Sequence, residues 1–141
     1  MPPTHIRPLR AQVQERAQGR CEYCLLPEVA DLVRYELDHV IAEQHGGQTA
    51  LDNLAYACLD CNKRKGPNIA STDPHTGERT WLFHPRRQQW QEHFRLCEDG
   101  TIVGLTPEGR ATAFLLRFND PTRIQDRADL IAVGNLNSTP G

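Results

Sequence analysis

Apolar residues in this chain fall in short runs whose spacing changes along its length. Leu32, Val33, Tyr35 and Leu37 make a β-branched and aromatic run that predicts a strand over 32–37. That strand delivers Asp38 and His39 at its end. Neighbouring side chains in a regular strand face opposite ways, so these two reach one cleft only if the strand ends or bends at His39. After a polar loop containing Gly46 and Gly47, residues 54–57 read as a second short strand, and 58–65 as a tight turn entering a helix that Gly66-Pro67 ends. Upstream, 7–18 reads as a helix with Pro8 in its first turn and Gly19 as its stop. Downstream, 79–84 reads as a strand and 85–96 as a helix with Trp90 and Phe94 four apart on one core-facing side. A turn and strand over 98–104, a helix start at 106–110 followed by Ala113, Leu115, Leu116 and Phe118, a helix over 121–130 and a frayed tail over 134–141 complete the pattern. The expected fold class is α+β.

Two Cys-x-x-Cys pairs, Cys21 with Cys24 and Cys58 with Cys61, bracket the first two strands. This spacing suits one tetrahedral zinc ion, and with all four positions taken the zinc is structural rather than catalytic. Five cysteines cannot all pair with one another, so thiolates in a reducing compartment fit better than a disulfide scaffold. Cys97 lies outside the pattern and reads as a small buried hydrophobe.

At 141 residues the chain is expected to form one domain, with a centre over 20–66, an extension over 67–133 and the tail behind it. The first ten residues lack the apolar core of a secretory leader, and no run approaches the roughly 18 apolar residues of a membrane helix. A cytoplasmic protein without a membrane partner is expected. The net charge of −2 conceals strong segregation: residues 1–20 carry +3, 21–61 carry −7 and 62–95 carry +4. Basic flanks around an acidic, metal-binding middle suit phosphate binding beside a cation.

Between and after the cysteine pairs lie Leu37-Asp38-His39-Val40, Gly46-Gly47, Asn53-Leu54 and Asn62-Lys63-Arg64-Lys65. In this order the stretch resembles the zinc-bound members of the HNH endonuclease family, over about a third of the chain. The resemblance implies a ββα-metal core and a metal-dependent endonuclease that hydrolyses phosphodiester bonds in DNA, with double-stranded DNA favoured. It implies His39 as general base, Asp38 and Asn62 as ligands of Mg²⁺ or another divalent cation, and Asn53 as the residue that ties the loop to the His strand. Lys63, Arg64 and Lys65 would meet the phosphate backbone. Many members carry His where this chain has Asn62, and an amide oxygen there favours harder ions than an imidazole does. Glu43 and His45 read as exposed loop residues. The rival reading is a non-catalytic zinc module that binds nucleic acid and has no use for His39.

Overall fold

The computed structural model describes residues 7–28 and 34–140. They group into two compact units, Met1–Ile69 with His84–Arg87, and Ala70–Phe83 with Gln88–Gly141. The fold class is α+β, with small two-stranded antiparallel sheets and short helices.

The first unit is built on a hairpin of β1 (Glu36–His39) and β2 (Leu54–Ala57), with Leu37 opposite Tyr56 and His39 opposite Leu54. The predicted strand over 32–37 is therefore displaced toward the C-terminus, and its Leu32 and Val33 lie outside the described residues. β2 is wholly buried because it is covered on both faces. Helix α1 (Arg7–Arg16) and the turn after it place Leu9, Val13 and Ala17 at four-residue spacing, and these join Leu37, Leu54, Tyr35 and Tyr56 in one apolar cluster. Gln18 and Gly19 then take left-handed backbone angles that end the helix two residues earlier than predicted. Arg16 fastens its C-terminal end by donating to the main-chain carbonyls of Leu51 and Leu54. Further along the same outer edge of β2, Tyr56 O accepts from Glu22 N, while the Glu22 carboxylate accepts from Tyr56 N. The first cysteine pair is thereby joined to β2.

Helix α2 (Leu59–Lys65) starts at Cys58, whose sulfur accepts from Cys61 N, and stops at Gly66, with a φ of 52°. This is the predicted turn, helix and stop.

In the second unit, β3 (Ala70–Thr72) pairs with β4 (Arg79–Trp81), and β5 (Phe94–Leu96) pairs with β6 (Ile102–Gly104). The predicted helix over 85–96 is a correction: only α3 (Trp90–His93) is helical, and the chain turns extended at Phe94. Trp90 and Phe94 do stack, with ring centroids 5.0 Å apart, so the four-residue spacing marked a real aromatic pair. The stronger signal was the alternation of buried Phe94, half-buried Arg95 and buried Leu96, which suits pairing with 102–104.

Helices α4 (Pro107–Leu115) and α5 (Pro121–Ala132) follow as predicted, α4 capped by the Thr106 hydroxyl, which accepts from Gly109 N. Phe83, Phe94, Leu96, Ile102, Leu116 and Phe118 form the buried apolar set. The buried Arg127 guanidinium donates to the carbonyls of Gly100 and Phe118. The tail is tied down rather than frayed at Thr139, which exchanges two hydrogen bonds with the Leu96 main chain, and Leu136 is buried. Cys97 is half-buried, not buried. No helix among the described residues is long and apolar enough to cross a membrane.

Candidate functional site

The sulfurs of Cys21, Cys24, Cys58 and Cys61 all lie within 4.8 Å of one another, and Cys24 and Cys58 are 3.8 Å apart. A tetrahedral zinc with Zn–S bonds of about 2.3 Å has S···S edges of about 3.8 Å, so the four thiols fit the ion. The backbone N–H groups of Cys24 and Cys61 point at the sulfurs of Cys21 and Cys58, as suits thiolate acceptors. Burial pushes the Cys21 and Cys61 thiols well above the ordinary range, a cost that a divalent ion offsets by holding them as thiolates.

His39 ends β1 with its ring mostly covered, at 17 % side-chain exposure. Its Nε2 lies 2.8 Å from the Thr49 hydroxyl and 3.9 Å from a carboxylate oxygen of Glu43. Thr49 was not predicted, since a single threonine in a polar loop carries no signal in sequence. Glu43 and His45 are exposed.

The loop that carries Thr49 is stitched by Asn53. Its side-chain amide donates to the carbonyls of Ile41 and Gln48, while its side-chain oxygen accepts from Ile41 N and its main-chain carbonyl from Val40 N. Both sides of the loop are thus held to the residues directly after His39. Gly47 is required by close approach: a Cβ there would lie 1.7 Å from the Ile41 carbonyl oxygen and 2.8 Å from Asn53 Nδ2. Gly47→Ala is expected to lose more than about 2 kcal/mol in a urea denaturation series, because the backbone cannot retreat without breaking the Asn53 bonds.

Asp38 faces the other way. It is 4 % exposed, its Oδ2 accepts from Tyr23 Oη at 2.6 Å, and its Oδ1 lies 3.3 Å from Lys65 Nζ. Lys65, 1 % exposed, also donates to the His39 carbonyl at 3.2 Å. This departs from the assignment of Lys65 to a DNA phosphate: Cys61 and Lys65 are four apart on the inner side of α2, so the side chain turns inward. Of the basic run, Lys63 is exposed and Arg64 half-buried. Asn62 is half-buried one turn before Lys65. Burial pushes the Asp38 carboxyl above its ordinary value, although the Lys65 ammonium and the Tyr23 hydroxyl pull the other way. As placed, both carboxylate oxygens of Asp38 are engaged, one by the Tyr23 hydroxyl and the other by the Lys65 ammonium.

The His84–Arg87 segment belongs to this unit as well. Arg86 pairs with Glu22, and Arg86 N donates to His84 Nδ1. Burial, reinforced by Arg87, Arg86 and Lys65, lowers the His84 pKa to about 4. A folded value below the ordinary one means that His84 contributes stability above about pH 6.5, which is lost as pH falls toward about 4. A proton NMR titration is expected to show the His84 ring titrating near 4, whereas a midpoint near 6.5 would show a solvated ring.

Residues 21–68 match the family model described as HNH endonuclease. The matched segment is similar to an HNH domain. It spans both cysteine pairs, β1, β2 and α2, with His39, Asn53 and Asn62 inside it. No curated protein and no solved structure matches the chain. The HNH segment points to a nuclease or nucleic-acid-binding function, and its four cysteines to zinc.

Proposed function

We propose that the chain is a divalent-cation-dependent endonuclease that hydrolyses phosphodiester bonds in double-stranded DNA, with His39 as general base. The observation that carries this reading is the His39 imidazole itself, set at a strand end by the Asn53 stitch, with an oxygen at bonding distance from Nε2. The Thr49 hydroxyl stands at the distance a water needs in order to pass a proton to that nitrogen. Asn53 is a positioning residue that fixes the loop. Lys63 and Arg64 lie on the helix that carries Asn62 and meet the phosphate backbone, which sets register without reading sequence. Magnesium or another divalent ion is the cofactor the resemblance brings, and Asn62 offers it an amide oxygen. The four clustered thiols of the zinc site suit a reducing, cytoplasmic setting.

The non-catalytic zinc module is favoured by one observation, that Asp38 is already engaged by Lys65. Zinc-loaded protein, desalted and assayed on supercoiled plasmid with and without added Mg²⁺ or Mn²⁺, separates the two. Omission is preferable to chelation, because a chelator would also strip the structural zinc. Metal-dependent nicking is expected. DNA binding without cleavage at any metal concentration would leave the non-catalytic module.

A further inference from the structure

We propose that Tyr23, Asp38 and Lys65 form a buried clamp that positions His39, in place of a metal ligand and a phosphate contact. The proposal rests on the nuclease reading of His39 and adds residues to it. The clamp joins three elements. Tyr23 stands between the zinc ligands Cys21 and Cys24, Asp38 lies on β1 directly before His39, and Lys65 closes the last turn of α2. All three side chains are within a few per cent of full burial.

Their bonds converge on one peptide unit. Lys65 Nζ reaches the Asp38 carboxylate at 3.3 Å and the His39 carbonyl at 3.2 Å, so one ammonium grips the side chain before the base and the main chain of the base itself. Tyr23 Oη takes the other carboxylate oxygen at 2.6 Å. A buried ammonium left alone would be severely destabilising, and so would a buried carboxylate. Each is retained here because the other neutralises it. Lys65 also cannot serve as a mobile phosphate contact from a position that is 1 % exposed. With β1 alternating sides, Asp38 is held on the inner side while His39 meets Thr49 on the other, so fixing Asp38 and the His39 carbonyl fixes the direction in which the imidazole leaves the strand.

The test uses the full-length, zinc-loaded chain with Tyr23→Phe, Lys65→Met and Asp38→Asn/Lys65→Met. The double variant removes both buried charges together and carries the comparison where Lys65→Met alone fails to fold. Zinc content of one per chain qualifies each variant. The expected result is a fall in kcat of at least about tenfold, the size of a general base misplaced rather than removed. KM for DNA, its salt dependence and the Mg²⁺ midpoint are expected to stay at wild-type values. Three outcomes would overturn the clamp: unchanged kcat in every variant, a raised KM with a salt slope reduced by about one in Lys65→Met, as for a phosphate contact, or activity of the double variant restored at high Mg²⁺, as for a metal ligand. The His39 imidazole resonances, recorded without DNA, are expected to move in Tyr23→Phe and in the qualifying Lys65 variant. Resonances that stay in place in both overturn the clamp even if the wild type does not cleave, whereas a wild type that binds DNA without cleaving it refutes the nuclease reading alone.

Discussion

His39→Ala is expected to lose at least about 10²-fold in plasmid nicking, the low end of what removal of a general base costs. The loss should appear in kcat, because the substitution deletes a proton acceptor while Lys63 and Arg64 on α2 are untouched. Raising the Mg²⁺ or Mn²⁺ concentration is not expected to restore it, since the missing step is removal of a proton from water. Added imidazole, a small base able to enter the vacated space, is expected to recover part of the rate. Zinc content should remain at one per chain, because His39 holds none of the four sulfurs. Nicking rates against metal and imidazole concentration, with DNA binding measured in parallel, check the prediction. Full activity of the variant would remove His39 from the chemistry and promote the non-catalytic zinc module.

Cys58→Ser should have the largest effect on stability. Cys58 is both a zinc-site sulfur and the residue that starts α2, where its side chain accepts from Cys61 N. Serine caps helices well, so the substitution preserves the helix start and removes a thiolate ligand. Structural zinc contributes on the order of 10 kcal/mol or more to small metal-bound folds, a sum comparable to the whole stability of an ordinary domain. The first unit has little to offset that loss, because its hairpin core rests on Val13, Leu37, Leu54 and Tyr56. The variant is expected to hold less than one zinc per chain and to lose the cooperative unfolding of this unit in urea. A variant that melts like the wild type with no zinc in either would show that the four thiols are held together without metal.

What sequence could show divides along physical lines. The zinc set, the α2 start and stop, and β2 rest on local rules of spacing, capping and burial, and the structure has them where they were expected. Asn53 and Gly47 were legible as motif letters, but their shared purpose, a side chain and a bare Cα meeting at the Ile41 carbonyl, exists only once the loop has closed. Lys65 was misplaced because a run of three basic residues reads as one exposed surface, whereas a helix rotates each by a different angle and turned this one inward beside Cys61. The aromatic pair over 90–94 satisfied a helical spacing that a single turn of helix also satisfies. Strand pairing with 102–104 then decided the rest, a non-local choice that the pair could not signal. Thr49 and the return of 84–87 to the first unit depend on tertiary contacts alone.

The two units differ in their optical groups. Tyr23, Tyr35 and Tyr56 all fall in the first, and Trp81 and Trp90 both fall in the second. Selective excitation of tryptophan therefore reports on the second unit, while the near-ultraviolet dichroism of tyrosine reports on the zinc-bearing one, where Tyr23 and Tyr56 are buried. The chain carries a separate native chromophore for each half, and metal loading can be followed beside the folding of the remainder without attaching a dye.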